Sequence, residues 1–176
     1  MPMQPFLFAK EDEKTTYLSG KVEALTEQTL DKVCRETFRF AADVFYLGEQ
    51  NEIPIADALK KRLLHFCDIS GDAKTPSHDR MAIEGADFDL ESSAYPNLPG
   101  AILAVMHENS AEIQKHIFSY TDDLITYFGS RIYVYSVRQV GWQEDIFRLF
   151  FMKLSQMVWF VEYQKYAVML IYGSDI

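Results

Sequence analysis

A chain of 176 residues with 48% hydrophobic and 14% aromatic side chains can bury a full core, which excludes a disordered protein and suits a single domain over 1–176. Its net charge of −9 argues against a phosphate-binding face, because nucleic-acid binders cluster Lys and Arg, so no nucleic-acid partner is expected. No signal-peptide pattern opens the chain, and the longest unbroken apolar run in the C-terminal third, Tyr166 to Tyr172, is too short to span a bilayer, so a cytoplasmic protein with no membrane partner is expected.

The N-terminal stretch combines a short apolar piece, Phe6 to Phe8, with the charged run Lys10 to Lys14, and reads as a strand or arm followed by a turn. A first helix is expected from Thr26 to Gly48. Leu30, Val33, Cys34, Thr37, Phe38, Ala41 and Phe45 follow helical spacing, while Asp31, Arg35, Arg39 and Asp43 fall mainly outside that stripe. Pro54 opens a second helix with Ile55, Ala58, Leu59, Leu63, Phe66 and Cys67 inward and Lys61, His65 and Asp68 outward. The basic run Lys60-Lys61-Arg62 is assigned to a solvated helix face. Cys34 and Cys67, both on apolar faces, are too few for a disulfide framework and read as core thiols.

Residues 70–100 show no sustained period and are broken by Pro76, Pro96, Pro99, Gly71 and Gly85. Such a long irregular segment is either functional, mobile, or the host of a short strand near Ala86 to Leu90. A short buried helix is expected over Leu98 to Met106. A longer one opens at Asn109-Ser110, carries Ile113, Ile117, Tyr120, Leu124, Tyr127 and Phe128 on one stripe, and ends at Gly129. Arg131 to Val137 is the clearest strand. Gln143 to about Leu154 reads as an apolar helix, and Met157 to Tyr163 with Tyr166 to Tyr172 as a hairpin about Gln164-Lys165. The fold class is therefore α+β, four or five helices on a small, mostly antiparallel sheet.

Residues 81–130 hold eight carboxylates and one base, Lys115, and so carry most of the net charge. If residues 86–90 form a strand, Asp87, Asp89 and Glu91 share one face while Phe88 and Leu90 take the other. A carboxylate row beside Phe88 and Tyr95 couples electrostatic steering to apolar anchors, as strong interfaces do. Glu84, Asp87, Phe88, Asp89, Glu91 and Tyr95 are the expected partner-binding residues.

Motifs that name a reaction are missing. The closest glycines, Gly129 and Gly141, are too far apart for a phosphate-cradling loop, and no G-x-S-x-G elbow exists. His107-Glu108 begins an H-E-x-x-H pattern, but residue 111 is Ala, so a second ligand is absent; Glu112 with His116 reads as a helix pair. The His78-Asp79 dyad lacks an identifiable nucleophile. No metal, cofactor or catalytic residue is assigned.

These readings favour an acidic protein-binding module, most concretely an immunity or antitoxin-type inhibitor that occludes a basic partner such as a toxin active site. Two alternatives stand beside it. One is a small enzyme or ligand-binding domain with Tyr133, Tyr135, Trp142, Trp159 and Tyr163 as walls and His107 or His116 as polar handle. The other is an assembly subunit or chaperone whose C-terminal strand pairs with a partner's edge.

Overall fold

The computed structural model describes residues 5–34, 38–70, 76–92, 97–106, 110–131 and 133–175. Its elements run α1 (Pro5–Thr29), a short 3-10 turn (Asp31–Val33), β1 (Phe38–Tyr46), α2 (Ile55–Ser70), α3 (Pro76–Gly85), β2 (Asp87–Ser92), α4 (Leu98–Val105), α5 (Ala111–Phe128), β3 (Tyr133–Val140), α6 (Ile146–Phe151), β4 (Lys153–Glu162) and β5 (Tyr166–Asp175). The five strands form one sheet of order β1-β5-β4-β3-β2, antiparallel throughout. The α+β class holds, with six helices among the described residues.

Both faces of the sheet are covered, and strand alternation explains how. In β5, Tyr166, Val168, Leu170 and Tyr172 join a core with Val22 and Leu25 of α1, Ile102 of α4, and Ile117, Tyr120 and Leu124 of α5. The intervening Ala167, Met169 and Ile171 face Leu59 and Leu63 of α2, Ile83 of α3, and Ile146 and Phe147 of α6. A strand buried on both sides becomes a continuous apolar run, which hides its period of two.

That effect accounts for the main correction. The segment expected as a helix over 26–48 is instead the end of α1, the 3-10 turn and β1, and the N-terminal arm is helical. In β1, Phe40, Ala42 and Val44 enter the α1/α5 core and Phe45 enters the α2 core, so inward residues fit a helical stripe almost as well as a two-sided strand. Helix α1 escaped because its buried stripe, Thr15, Ser19, Val22 and Thr26, is made largely of hydroxyl residues at helical spacing rather than of large apolar ones. Thr26 is no cap: its hydroxyl donates to the Val22 carbonyl at 2.7 Å and lies 2.9 Å from the Tyr120 hydroxyl.

The irregular stretch 70–100 contains α3 and β2, so the short strand expected there is present. Helix α5 matches expectation, capped by the Ser110 hydroxyl, which accepts from the Ile113 N–H at 3.2 Å, and ended by Gly129 at φ +85°. Helix α4 is capped by the Asn97 side chain, which accepts from the Gly100 N–H at 2.7 Å. The C-terminal hairpin turns at Gln164-Lys165, closed by the Tyr163 N–H on the Tyr166 carbonyl at 2.8 Å. Helix α6 is shorter than expected. It stops at Phe151 because Met152 adopts the left-handed region at φ 58°, and residues 153–156 extend β4.

Candidate functional site

The acidic row lies on the free edge of the sheet. β2 is an outermost strand, and Asp87, Asp89 and Glu91 are exposed while Phe88 is buried, its ring 5.8 Å from that of Phe147. Leu90 is half-buried beside it, so the alternation read from sequence is realised. Glu84 is exposed at the end of α3, one turn before β2. Tyr95 lies outside the described residues. Two carboxylates of the row meet cations: Asp89 Oδ2 accepts from Arg138 Nη2 at 2.9 Å, and Asp87 Oδ1 sits 3.9 Å from Lys60 Nζ. The Asp87 and Asp89 side chains remain 73% and 52% exposed, and such solvated pairs exchange readily for other partners.

A second site, which sequence reasoning missed, occupies the opposite edge. Asp43 on β1 and Arg62 on α2 are both buried. Arg62 Nε donates to Asp43 Oδ2 at 3.3 Å, Nη2 to Oδ1 at 3.4 Å, and Nη1 to the Thr16 hydroxyl at 3.0 Å. Ser19 Oγ also donates to Asp43 Oδ1, and the guanidinium stacks 4.5 Å over the Phe66 ring. Three elements, α1, β1 and α2, thus converge on one carboxylate. Burial pushes the Asp43 carboxyl above its ordinary range, against the pull of Arg62. Arg62 is therefore not on a solvated face, and Asp43 does not point outward as the helical reading required.

Above this pair opens a groove of about 740 Å³ between α1, the edge of β1, α2 and the α6–β4 corner. One wall carries Glu23 and Glu27 of α1 with Asp31; the other carries Phe66, Phe150 and Phe151. Asp31 Oδ1 accepts from the Phe40 N–H at 2.9 Å and so caps part of the β1 edge. Burial raises the Asp31 carboxyl, opposed by that hydrogen bond and by Arg39 and Lys153. Glu23 is raised too, first by desolvation and then by Glu27 and Asp43.

The sheet also forks. β3 and β4 pair only from Tyr133↔Glu162 to Ser136↔Trp159, beyond which β3 continues with β2 and β4 with β5, the latter through a register shift between Ser155 and Met157. A cavity of about 300 Å³ fills the fork, lined by Val137, Arg138, Trp142, Asp145, Ser155 and Met157 among others. Its far end is tied by Gln139, whose Nε2 donates to the carbonyls of Trp142 (3.2 Å) and Glu144 (2.6 Å) and whose Oε1 accepts from the Ile146 N–H (2.9 Å).

The remaining sequence candidates do not converge. His78 Nε2 meets Glu144 Oε1 at 2.8 Å across elements, and His107 lies outside the described residues. Trp159 and Tyr163 are core residues while Tyr133 is 55% exposed, so the five aromatic residues expected as pocket walls do not line one cavity. β5 is paired on both sides and offers no free edge to a partner. Among the described residues, no cluster of three His, Cys, Asp or Glu could hold a metal, and no helix is long and apolar enough to cross a membrane. Comparison with family models, curated proteins and solved structures finds no match to this chain.

Proposed function

We propose that the protein is a binding module that presents the acidic edge strand β2 to a partner with a basic surface, acting by occlusion in the manner of an immunity or antitoxin-type inhibitor. The observation that carries this reading is the row Asp87, Asp89 and Glu91, exposed on the outermost strand and held in line by the buried Phe88. Carboxylates carried along a strand have their spacing set by the backbone, which lowers the entropic cost of binding. Their Coulomb field accelerates encounter with a cationic surface, and the ion pairs to Lys60 and Arg138 are exposed enough to be replaced by the partner's own cations.

The test compares the native chain with an Asp87→Lys, Asp89→Lys, Glu91→Lys variant in affinity capture from the native cell, followed by binding kinetics with the captured protein. The expected result is a basic partner held by the native chain, with an association rate that falls steeply as salt rises, and no retention by the reversed variant. Equal affinity of both chains for every captured partner overturns the assignment.

A further inference from the structure

We propose that the groove at the β1 edge is a docking site for an extended segment of a partner protein in which lysine or arginine side chains alternate with apolar ones. The groove lies at the opposite end of the strand order from β2, so this inference stands or falls independently of the acidic edge.

Charge complementarity identifies the occupant. Of the carboxylates that line the groove, Asp43 is taken up by Arg62, and Asp31 is held by the Phe40 N–H with Arg39 and Lys153 nearby. Glu23 and Glu27 differ. They stand one helical turn apart on α1, a like-charge spacing that destabilises a helix, and the charges acting on Glu23 are Glu27 and Asp43, both negative. An incoming ammonium or guanidinium replaces that repulsion with attraction in a partly desolvated site.

The second wall gives the apolar half of the match. Phe66, Phe150 and Phe151 face the groove from α2 and α6, while Glu23, Glu27 and Asp31 come from α1 and the 3-10 turn. An extended peptide points successive side chains to opposite sides, so alternation of basic and apolar residues serves both walls at once. The α1 wall leaves room for it at Gly20, where an added Cβ would meet nothing within 4 Å. The buried Asp43–Arg62 pair fixes the floor between α1 and α2, so the site exists before the ligand arrives.

The experiment is fluorescence anisotropy with a labelled hexapeptide of alternating Phe and Lys, with hexalysine and spermine as competitors. Glu23→Gln with Glu27→Gln, and separately Phe150→Ser, are expected to weaken the alternating peptide at least about tenfold, the size of one lost interfacial charge pair. The Asp87→Asn, Asp89→Asn, Glu91→Gln variant is expected to bind it like the native chain, and circular dichroism confirms that each variant folds. Failure to bind, insensitivity to the Glu23 and Glu27 changes, or an equal loss in the β2 variant overturns the proposal. Displacement by hexalysine or spermine at the peptide's own concentration overturns it as well, by showing that charge alone or a free polyamine is what the groove takes. A mass twice that of the chain in solution, lost with the Glu23 and Glu27 changes, would assign the groove to a second copy instead.

Discussion

Asp43 on the edge strand and Arg62 in the second turn of α2 satisfy one another through two hydrogen bonds, at 3.3 and 3.4 Å, in a site where their side chains are only 3% and 6% exposed. Asp43→Ala leaves a buried guanidinium without its counter-charge and is expected to cost about 3–5 kcal/mol of unfolding free energy. Asp43→Leu combined with Arg62→Met removes both charges and should recover most of that loss. Urea denaturation of the singles and the double measures the coupling.

Glu23 should impose a pH-dependent penalty. Its folded-state carboxyl is raised, so the native chain holds its proton more tightly than the unfolded chain, and stability falls as pH rises from the ordinary glutamate value through the raised one. Glu23→Gln removes the ionised form. It is expected to raise the melting temperature at neutral pH and to lose that advantage as pH drops below the ordinary glutamate range, a contrast read by thermal melts across pH.

Gln139 braces the loop between β3 and α6 with three hydrogen bonds. Gln139→Ala is expected to cost about 1–2 kcal/mol, because part of the bracing is exposed and water replaces it there. Faster hydrogen exchange at the Ile146 amide, which donates to the Gln139 side chain, locates the effect.

Gly85 lies under the indole of Trp142, and a Cβ there would run into the ring. Gly141, at φ +84°, approaches the same place from the other side, its own added Cβ falling 2.8 Å from the Gly85 carbonyl oxygen. Gly85→Ala should therefore cost about 1–3 kcal/mol by overpacking and alter the near-ultraviolet signal of Trp142.

The parts of the fold legible in sequence are those with a single period or a strong boundary. Helix α5 announced itself through Ser110, Gly129 and a one-sided stripe, and β2 through its alternation of Asp and Glu with Phe88 and Leu90. β1 did not, because two covered faces erase alternation, and α1 did not, because hydroxyls rather than large side chains make much of its buried stripe. The acidic edge was visible because charge on an exposed strand stays local in sequence. The groove was not: its floor joins Thr16, Ser19, Asp43 and Arg62 from three elements, and nothing in Asp43 or Arg62 alone distinguishes a buried ion from a solvated one. The one available hint was Asp43 amid Phe40, Ala41, Ala42, Val44 and Phe45, a charge inside an apolar run, which a strand would have to bury.

The sheet order places β5 between β1 and β4, so among the described residues the strand formed by residues 166–175 is the one that β1 pairs with. About 120 residues separate the two strands, which on a ribosome adding roughly 5–20 residues per second is a wait on the order of ten seconds. At the start of that interval α1 and α2 are the elements at hand to cover the Phe-rich β1, and α4 and α5 join one of its faces as they are made. The hydroxyls of Thr16 and Ser19 and the guanidinium of Arg62 then do more than stabilise the finished molecule. They are local in sequence, so a nascent chain has these contacts at hand for an aggregation-prone strand before its distant partner is made.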